Sequence, residues 1–323
     1  MKKPVIFSLL LTGFLYLFYL ANKPVLPSPD SEPILYSNQC RDDLKSVFLQ
    51  AMDKAKKTIH LLSYGLSDPN VLHMLVKKGE KVKIKAYYDV KSSYPLPKVE
   101  GIEFFPVSEQ GLMHQKIVVV DEKVVLLGSA NMTKQSLQMH DNLIVGFYSP
   151  KIAKFLIDKT PFTSAHTSSW VGGQKIDLWI LPDAKNYAID DLRERIRRAK
   201  KEIFMAMFTL THPLLIEEVI RAKKRGVKVR VILDRTAARG ASKKAVGLLR
   251  QAKIPLSISN GIELLHHKFL LIDQKDLILG SANWTKSAFY KNRDCFLVLN
   301  NLTKSQKAFM KKLVNNILIE STP

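Results

Sequence analysis

The sequence contains little cysteine, and this limits both disulfide and metal chemistry. Its 323 residues include two cysteines, Cys40 and Cys295. They permit one bridge but define neither a disulfide framework nor an oxidising compartment, and we expect each to be a small buried or surface residue. The sequence also has no C-x-x-C, no H-E-x-x-H and no other paired metal-ligand spacing. Nothing in it therefore requires a metal or another cofactor.

Acidic residues are also scarce, and the resulting charge limits the class of partner. The chain has 50 lysine and arginine residues against 29 aspartate and glutamate residues, a formal net charge of +21. Such a basic balance favours polyanionic partners, either nucleic acid or the anionic surface of a phospholipid membrane. The charge alone does not choose between these partners.

A long apolar stretch stands at the N-terminus. Residues 5–21 form a run of 17 residues without a charge, preceded by Lys2 and Lys3 and followed by a proline-rich segment. The run is longer than a usual signal-peptide core and slightly shorter than a comfortable membrane span. We predict that residues 1–21 are an uncleaved membrane anchor with the rest of the chain outside the cytoplasm, and that residues 22–39 are a linker. The alternative is a signal segment that is removed, which leaves a secreted protein.

The most informative feature is a polar pattern that occurs twice, H-x-K-x4-D-x6-G-S-x-N. Every position of the second copy lies 152 residues after its counterpart. The first copy consists of His114, Lys116, Asp121, Gly128, Ser129 and Asn131, and the second of His266, Lys268, Asp273, Gly280, Ser281 and Asn283. The aliphatic runs inside each copy predict a strand, a tight turn and a second strand. Because side chains alternate along a strand, the histidine and the lysine share one face.

This duplicated pattern resembles the HKD signature of the phospholipase D superfamily, in particular its small bacterial endonucleases and its mitochondrial cardiolipin hydrolases. The second half is the closer match, through residues 208–234, its copy of the motif and residues 291–294. Two complete copies at matched spacing make the resemblance specific, and it extends from Cys40 to the C-terminus. It implies an α/β fold of two pseudo-symmetric domains, each a mixed sheet flanked by helices, with the active site at their interface.

Other matched segments support a duplication. AKKTIHLLSYGLSDP, residues 55–69, is similar to AKKEIFMAMFTLTHP, residues 199–213. We predict a first domain at residues 40–160 and a second at residues 176–323. The linker between them is placed at residues 161–175, where small and polar residues interrupt the pattern. Since both motifs lie in one chain, a monomer is expected to be active.

The paired motif has the groups needed to cleave a phosphodiester without a metal. One neutral imidazole attacks phosphorus to form a phosphohistidine, and a second, protonated imidazole donates to the leaving oxygen. Water then releases the intermediate. Two lysines and two amides are expected to stabilise the charge that develops on the phosphate oxygens. These groups are Lys116, Lys268, Asn131 and Asn283.

The resemblance also implies which histidine does what. The family places an acidic or amide residue eleven positions after the motif asparagine, and here those positions hold Asn142 and Asp294. If the partner acts across the interface, as the resemblance implies, Asp294 orients His114 as the nucleophile and Asn142 orients His266 as the acid. Asn142 departs from the acidic residue common in single-copy relatives, and Asp141 beside it is the alternative alignment.

The remaining motif residues are expected to support the site. Asp121 and Asp273 each follow an apolar strand, and we predict that they bond local backbone amides and set the hairpins. Ser129 and Ser281 are expected to contact phosphate or to position the groups that do.

The sequence leaves two classes of substrate open. The predicted anchor favours phospholipase D-type hydrolysis at a phospholipid membrane, with Trp284 and Phe289 bordering a lipid-accessible mouth, although core packing is the favoured alternative for Trp284. The net charge and the resemblance to endonucleases favour a membrane-tethered nuclease. A binding protein with a dead site is disfavoured because both halves keep a complete polar set.

Overall fold

The structure, a computed structural model, describes residues 23–322, which fold as two mixed sheets flanked by helices. The predicted anchor at residues 1–21 lies outside the described residues. Within residues 23–322, no helix combines the length and the apolar character that a membrane span needs.

The first sheet contains seven strands. They are β1 (Ile34–Ser37), β2 (Thr58–Ser63), β3 (Lys83–Asp89), β4 (Ile102–Val107), β5 (Lys116–Val120), β6 (Val124–Gly128) and β7 (Leu143–Tyr148). The accompanying helices are α1 (Leu44–Asp53), α2 (Pro69–Gly79), α3 (Lys134–Gln138) and α4 (Pro150–Lys159). In space the strands follow the order β1-β7-β6-β5-β2-β3-β4. The first motif thus forms the β5–β6 hairpin at the centre of the sheet.

The second sheet contains nine strands. They are β8 (Ala165–Val171), β9 (Gln174–Ile180), β10 (Glu202–Met207), β11 (Lys228–Leu233), β12 (Leu256–Ser259), β13 (Lys268–Ile272), β14 (Asp276–Gly280), β15 (Cys295–Leu299) and β16 (Ser321–Thr322). Its helices are α5 (Tyr187–Arg198), α6 (Pro213–Lys224), α7 (Arg235–Arg239), α8 (Lys243–Gln251), α9 (Lys286–Tyr290) and α10 (Lys304–Ile319). The spatial order is β16-β12-β11-β10-β13-β14-β15-β9-β8.

Six strands of each sheet follow the same order, which confirms the predicted pseudo-symmetry. The order β7-β6-β5-β2-β3-β4 in the first sheet corresponds to β15-β14-β13-β10-β11-β12 in the second. In both sheets the motif hairpin is antiparallel to the neighbouring strand on each side. The two copies of the motif therefore occupy equivalent places in the two domains.

The structure differs from the sequence-based boundaries at both predicted linkers. Strand β1 lies within residues 22–39 and pairs with β7, where Leu35 is opposite Val145. Strand β8 lies within residues 161–175 and forms a hairpin with β9. Both strands lie toward a sheet edge, and most of β8 is partly exposed and polar in sequence. Such a strand lacks the apolar run that marks a central strand.

The two sheets pack against each other through a shared apolar core. This core combines residues of the first sheet, such as Ile117 and Val145, with residues of the second, such as Phe269 and Leu297. Each domain also has an outer core under its own helices. Cys40 and Cys295 are both buried in the shared core and are not bonded to each other.

Candidate active site

Backbone hydrogen bonds between the two halves hold both motif histidines in place. The amide of His114 donates to the carbonyl of Arg293 at 2.8 Å, and the amide of His266 donates to the carbonyl of Asp141 at 3.0 Å. Arg293 and Asp141 each donate a backbone hydrogen bond back to the segment before the histidine that they hold. Each motif strand therefore begins in contact with the other domain.

The ring of His114 is oriented by a carboxylate from the second half. His114 Nδ1 lies 2.8 Å from Asp294 Oδ1, and the hydroxyl of Ser281 donates to the same oxygen at 2.7 Å. Since an ionised carboxylate only accepts, His114 Nδ1 carries the proton and Nε2 is the free nitrogen. Burial would raise the pKa of Asp294, but His114, Lys116 and the Ser281 hydroxyl hold it below its ordinary value.

The ring of His266 is oriented by an amide from the first half. His266 Nδ1 lies 3.0 Å from Asn142 Oδ1, which also accepts from Ser129 Oγ at 2.8 Å. The amide nitrogen of Asn142 faces the carbonyl oxygens of Ser136 and His140, at 2.7 and 3.1 Å. Because carbonyls only accept, this fixes the amide orientation and leaves the proton on His266 Nδ1.

This geometry settles several of the site contacts that the sequence predicts. Asn142, and not Asp141, contacts a motif histidine through its side chain. Ser129 and Ser281 act on Asn142 and Asp294 of their own halves, so they position the groups that orient the rings. The two serine hydroxyls also accept the amides of Leu143 and Cys295, and the single proton of each is already donated within the protein.

Both motif lysines are buried beside the histidines. Lys116 Nζ donates to the carbonyl of His114 at 2.5 Å, and Lys268 Nζ donates to the carbonyl of His266 at 2.8 Å. An ammonium group has three donors, so each lysine keeps donors for a bound anion. Burial lowers the pKa of Lys116 to about 7, although Asp294 opposes the shift. Burial and the charge of Lys116 lower the pKa of Lys268 well below its ordinary value.

The same burial and charges act on the imidazoles. Burial and the Lys116 cation lower the pKa of His114, and Asp294 opposes them. Burial, Lys268 and Lys116 lower the pKa of His266 well below its ordinary value, and the largest causes of this shift include no carboxylate. The His266 pKa is also lowered by the charge of His114, and the His114 pKa by that of Lys268. The ionisable groups of the two motifs therefore affect one another's pKa across the domain interface.

The motif asparagines carry unused polar atoms. The side-chain oxygens of Asn131 and Asn283 are buried, and within residues 23–322 they have no hydrogen-bond partner. A buried polar atom without a partner is costly unless a ligand or a water satisfies it. Because an amide oxygen only accepts, these two atoms fit a water or a ligand hydroxyl, whereas the amide nitrogens are the groups that can donate to a phosphate oxygen.

Asp121 and Asp273 lie in the hairpin turns but bond backbone outside them. Asp121 accepts the amides of residues 56, 57 and 58, and Asp273 accepts those of residues 200, 201 and 202. The prediction of backbone amides as partners agrees with this geometry, but the amides belong to the segments entering β2 and β10, which are distant in sequence. Burial would raise the pKa of each carboxyl, and the backbone hydrogen bonds lower it.

The motif glycines allow close packing of strands. A Cβ at Gly128 would collide with the carbonyl oxygen of Leu143, and one at Gly280 would collide with that of Cys295. The close neighbour of each glycine is the next strand of the same sheet. That strand carries Asn142 or Asp294 just before its start, so the glycines help to seat the orienting residues.

Two further pairs of residues contribute to the site. Asp89 Oδ2 accepts the amide of Met113 at 2.8 Å, and Asp234 Oδ2 accepts that of Leu265 at 3.2 Å, each just before a motif histidine. In the first half, Tyr64 lies under Lys116, with 5.5 Å between Nζ and the ring centroid. In the second half, the ring centroid of Phe208 lies 4.9 Å from Lys268 Nζ. The internal repeat could have revealed these residues from the sequence, because Tyr64 matches Phe208 and Asp89 matches Asp234 in the two halves.

The predicted role of two aromatic residues at a lipid-accessible mouth is wrong. Trp284 and Phe289 are 3% and 1% exposed and belong to the outer core of the second domain. For Trp284, core packing was the favoured alternative. Within residues 23–322 no three histidine, cysteine or carboxylate side chains are arranged to hold a metal ion. Independence from metals stays a prediction.

Comparisons with known proteins agree with this geometry. A family model described as "Cardiolipin synthase, PLD-like domain" matches residues 48–159 and 192–316. The chain is 32% identical over 134 residues to the mitochondrial cardiolipin hydrolase of Mus musculus, a match that covers 41% of this chain and 58% of that protein. It is 33% identical over 127 residues to the phospholipase D of Rickettsia prowazekii (strain Madrid E), covering 38% of this chain and 62% of that protein.

A solved structure shows the same fold over almost the whole chain. The phosphatidylserine synthase of Haemophilus influenzae Rd KW20 aligns with a TM-score of 0.69 at 13% identity, covering 93% of this chain and 89% of that one. The matches to the two curated relatives, by contrast, span less than two thirds of those proteins. Because the family model matches most of the chain and includes both motifs, this protein belongs to the phospholipase D superfamily.

Proposed function

We propose that this protein is a phosphodiesterase that hydrolyses phospholipid phosphodiester bonds through a covalent phosphohistidine intermediate on His114. One observation carries the proposal. Two buried imidazoles are held in the same tautomer by Asp294 and Asn142, each from the opposite half, with a buried lysine beside each ring.

In the first step, Nε2 of His114 attacks phosphorus as the bond to the leaving alcohol breaks. His114 is assigned as the nucleophile because the carboxylate of Asp294 stabilises the positive charge that its ring gains in the attack. His266 donates a proton from Nε2 to the leaving oxygen. Its partner Asn142 orients the ring without adding negative charge, so the protonated ring is the stronger acid.

In the second step, water attacks phosphorus and the bond to His114 breaks. His266, now neutral, accepts the proton of this water and returns to its starting state. Lys116, Lys268 and the two motif asparagines supply donors to the phosphate oxygens in both steps. These groups balance the charge of the transition state, and the steps as written need no metal.

Three observations support a phospholipid as the substrate. Relatives of the chain are named phospholipase D and mitochondrial cardiolipin hydrolase. The apolar run at residues 5–21 would keep the catalytic region near a bilayer. Finally, Tyr94 and Ile262 are 90% and 94% exposed, in loops that are tied to the site region through Leu66 and Asp141. Exposed apolar side chains near a site favour contact with a lipid surface.

A nuclease is the second candidate, and the net charge of +21 is the observation that favours it. The same two histidines can attack a nucleic acid phosphodiester, and a basic surface attracts that polyanion. The two functions therefore share a mechanism and differ in which phosphodiester reaches the site, that of a phospholipid or that of a nucleic acid.

One experiment compares the two substrates directly. The purified full chain is incubated, in the presence of a chelator, with liposomes of cardiolipin or phosphatidylcholine and with single-stranded or duplex DNA. The control is His114→Ala, which removes the proposed nucleophile and whose fold is checked by thermal unfolding. We expect release of the phospholipid headgroup, no cleavage of DNA, and a loss of at least about a thousandfold in the control.

Other outcomes count against the proposal in defined ways. DNA cleavage without lipid hydrolysis supports the nuclease. Turnover of neither substrate contradicts both functions. Activity that the chelator abolishes contradicts the metal-free mechanism.

A further inference from the structure

The second domain contains a large cavity that shares no residue with either motif. It has a volume of about 660 Å³ and lies between helix α10 and the strands β10, β11 and β13. A cavity of this size is in the range that holds a small-molecule ligand. Helix α10, which follows β15, has 16 residues and forms one side of the cavity. Its counterpart in the first domain, α4, follows β7 and has only 10 residues, so the described part of the first domain has no helix of comparable length at this place.

Much of the cavity lining is apolar. Six of its apolar lining residues are Phe204, Leu271, Leu302, Met310, Val314 and Leu318. Phe204 and Leu271 come from adjacent antiparallel strands, β10 and β13, and are directly paired. Leu302, Met310, Val314 and Leu318 come from α10 and the residues just before it. Phe204, Leu271, Leu302 and Met310 are less than 10% exposed and form the floor of the cavity, whereas Val314 and Leu318 are partly exposed on its wall and could contact an alkyl chain.

Five cationic side chains also line the cavity. They are Lys223, Lys228, Arg230, Lys307 and Lys311, and Glu202 is the one carboxylate among the lining residues. Within residues 23–322, none of the five is within ion-pair distance of a carboxylate. Five cations against one carboxylate leave a local charge of +4.

A nearby basic surface of the same domain differs in this respect. There Arg195 pairs with Asp177 and Asp191, and Arg198 pairs with Glu194. Those cations are neutralised by the protein itself. The cations of the cavity have no such partner, so they are available to an anion from outside.

Helix α10 arranges the two kinds of lining along one stripe. Lys307, Lys311, Val314 and Leu318 are spaced by four, three and four residues, which places them on one helix face. The stripe changes from cationic to apolar along the helix. Across the cavity, Lys228 and Arg230 project from β11 beside Glu202 and Phe204 of β10.

We propose that this cavity binds one anionic phospholipid molecule, with an acyl chain along its apolar lining and the phosphate among the five cations. A soluble anion would leave the apolar lining in contact with water. An uncharged lipid would leave the cations unpaired. A ligand with both parts matches both features, and this site is separate from the proposed catalytic function.

The proposal is tested in the full-length His114→Ala protein, so that turnover does not interfere. Native mass spectrometry from neutral detergent measures how much protein retains phosphatidylglycerol, phosphatidylcholine or glycerophosphoglycerol, the headgroup without acyl chains. Two variants change the site: Lys307→Glu with Lys311→Glu, and Val314→Asn. The matched control is Lys54→Glu with Lys77→Glu, which makes the same change in charge at exposed positions of the first domain.

Besides any lipid held at the catalytic site, which all variants share, we expect one phosphatidylglycerol whose binding is weakened at least about tenfold by the double lysine variant and by Val314→Asn, and stays within about twofold of the parent in the control. Phosphatidylcholine and the free headgroup should bind at least about tenfold more weakly than phosphatidylglycerol. Thermal unfolding of each variant confirms that it is folded.

Three results would overturn the proposal. These are equal binding of phosphatidylcholine, equal binding of the free headgroup, or an equal effect of the control pair. A single-stranded oligonucleotide that competes for the site and loses affinity with the same variants would also exclude a lipid as its ligand. Each result is independent of catalysis, because the His114→Ala background is inactive in the proposed mechanism.

Discussion

At the scale of single residues, the two histidines have the same hydrogen-bond geometry and different partners. Asp294 brings a negative charge to His114, whereas Asn142 brings only a dipole to His266. Burial and the neighbouring lysines lower the pKa of both rings. A protonated His266 therefore requires the negative charge of a bound phosphodiester beside it. Substrate and proton are expected to bind together.

The lysines lead to a pH prediction. The pKa of Lys116 is lowered to about 7, so its charge is present below that pH and is lost as the pH rises through it. His114 loses its nucleophilic form as the pH falls through its own lowered pKa. We expect kcat/KM to be limited at low pH by protonation of His114 and at higher pH by loss of the protons of His266 and Lys116, so that it is already decreasing as the pH passes about 7. The profile of kcat should extend further toward alkaline pH, because bound phosphate favours the charged lysines.

Steady-state assays across pH with a soluble short-chain phospholipid provide this measurement. If kcat/KM stayed constant up to about pH 9, where an ordinary lysine is still charged, the lowered lysine pKa values would not govern substrate binding.

Sequence reasoning identifies most of the site at this scale. Two copies of one pattern are sufficient to name the histidines, lysines, serines and asparagines. The choice between Asp141 and Asn142 requires geometry, because both residues lie just before β7 and their spacing does not show which side chain faces His266. The roles of Asp89 and Asp234 are missed because both residues lie outside the duplicated pattern, although the internal repeat places them at matched positions of the two halves.

At the scale of secondary structure, the turn of each motif hairpin is hydrogen-bonded to the backbone at the start of a neighbouring strand. The turns place Asp121 and Glu122 at φ of 51° and 57°, and Asp273 and Gln274 at 52° and 50°. The turn conformation directs the carboxylate of Asp121 at three consecutive amides before and at the start of β2. This fixes the register between β2 and β5, and β5 begins at Lys116.

We expect Asp121→Asn to lower the free energy of unfolding by about 1–2 kcal/mol, because a neutral amide replaces a charged acceptor of three backbone hydrogen bonds. Asparagine tolerates the positive φ, so the turn is kept. Chemical denaturation measures the change. The control is Glu122→Gln at the adjacent turn position, whose side chain makes no hydrogen bond within the described residues.

Equal stability of the two variants would contradict a structural role for Asp121. A large loss of kcat in Asp121→Asn at full stability would indicate that the carboxylate acts in catalysis instead.

The central strands are predictable because they are buried on both faces and read as apolar runs. Strands β1 and β8 are harder to predict because they are short or polar and lie at sheet edges. The partner of β1 is β7, more than a hundred residues away, which a local pattern does not encode. The partner of β8 is β9, across Gly172 and Gly173, but the polar sequence of β8 hides this hairpin.

At the scale of the whole molecule, the site exists only where the two domains meet. The orienting residues Asp294 and Asn142 each act on a histidine of the other half, and the shared core holds the two sheets together. A single chain thus supplies both halves of the site, which supports the expectation of an active monomer. The cavity beside α10 was not predicted, since its lining is drawn from residues 202–318 without any common motif.

The different roles of His114 and His266 are tested most directly with phosphatidyl-p-nitrophenol, a substrate whose leaving group needs no proton. In His266→Ala we expect a rapid release of about one nitrophenolate per enzyme followed by very slow turnover, because the phosphohistidine forms and is not hydrolysed. Mass spectrometry should then place the phosphatidyl adduct on His114. A burst in His114→Ala with the adduct on His266, or normal turnover in either variant, would contradict this assignment.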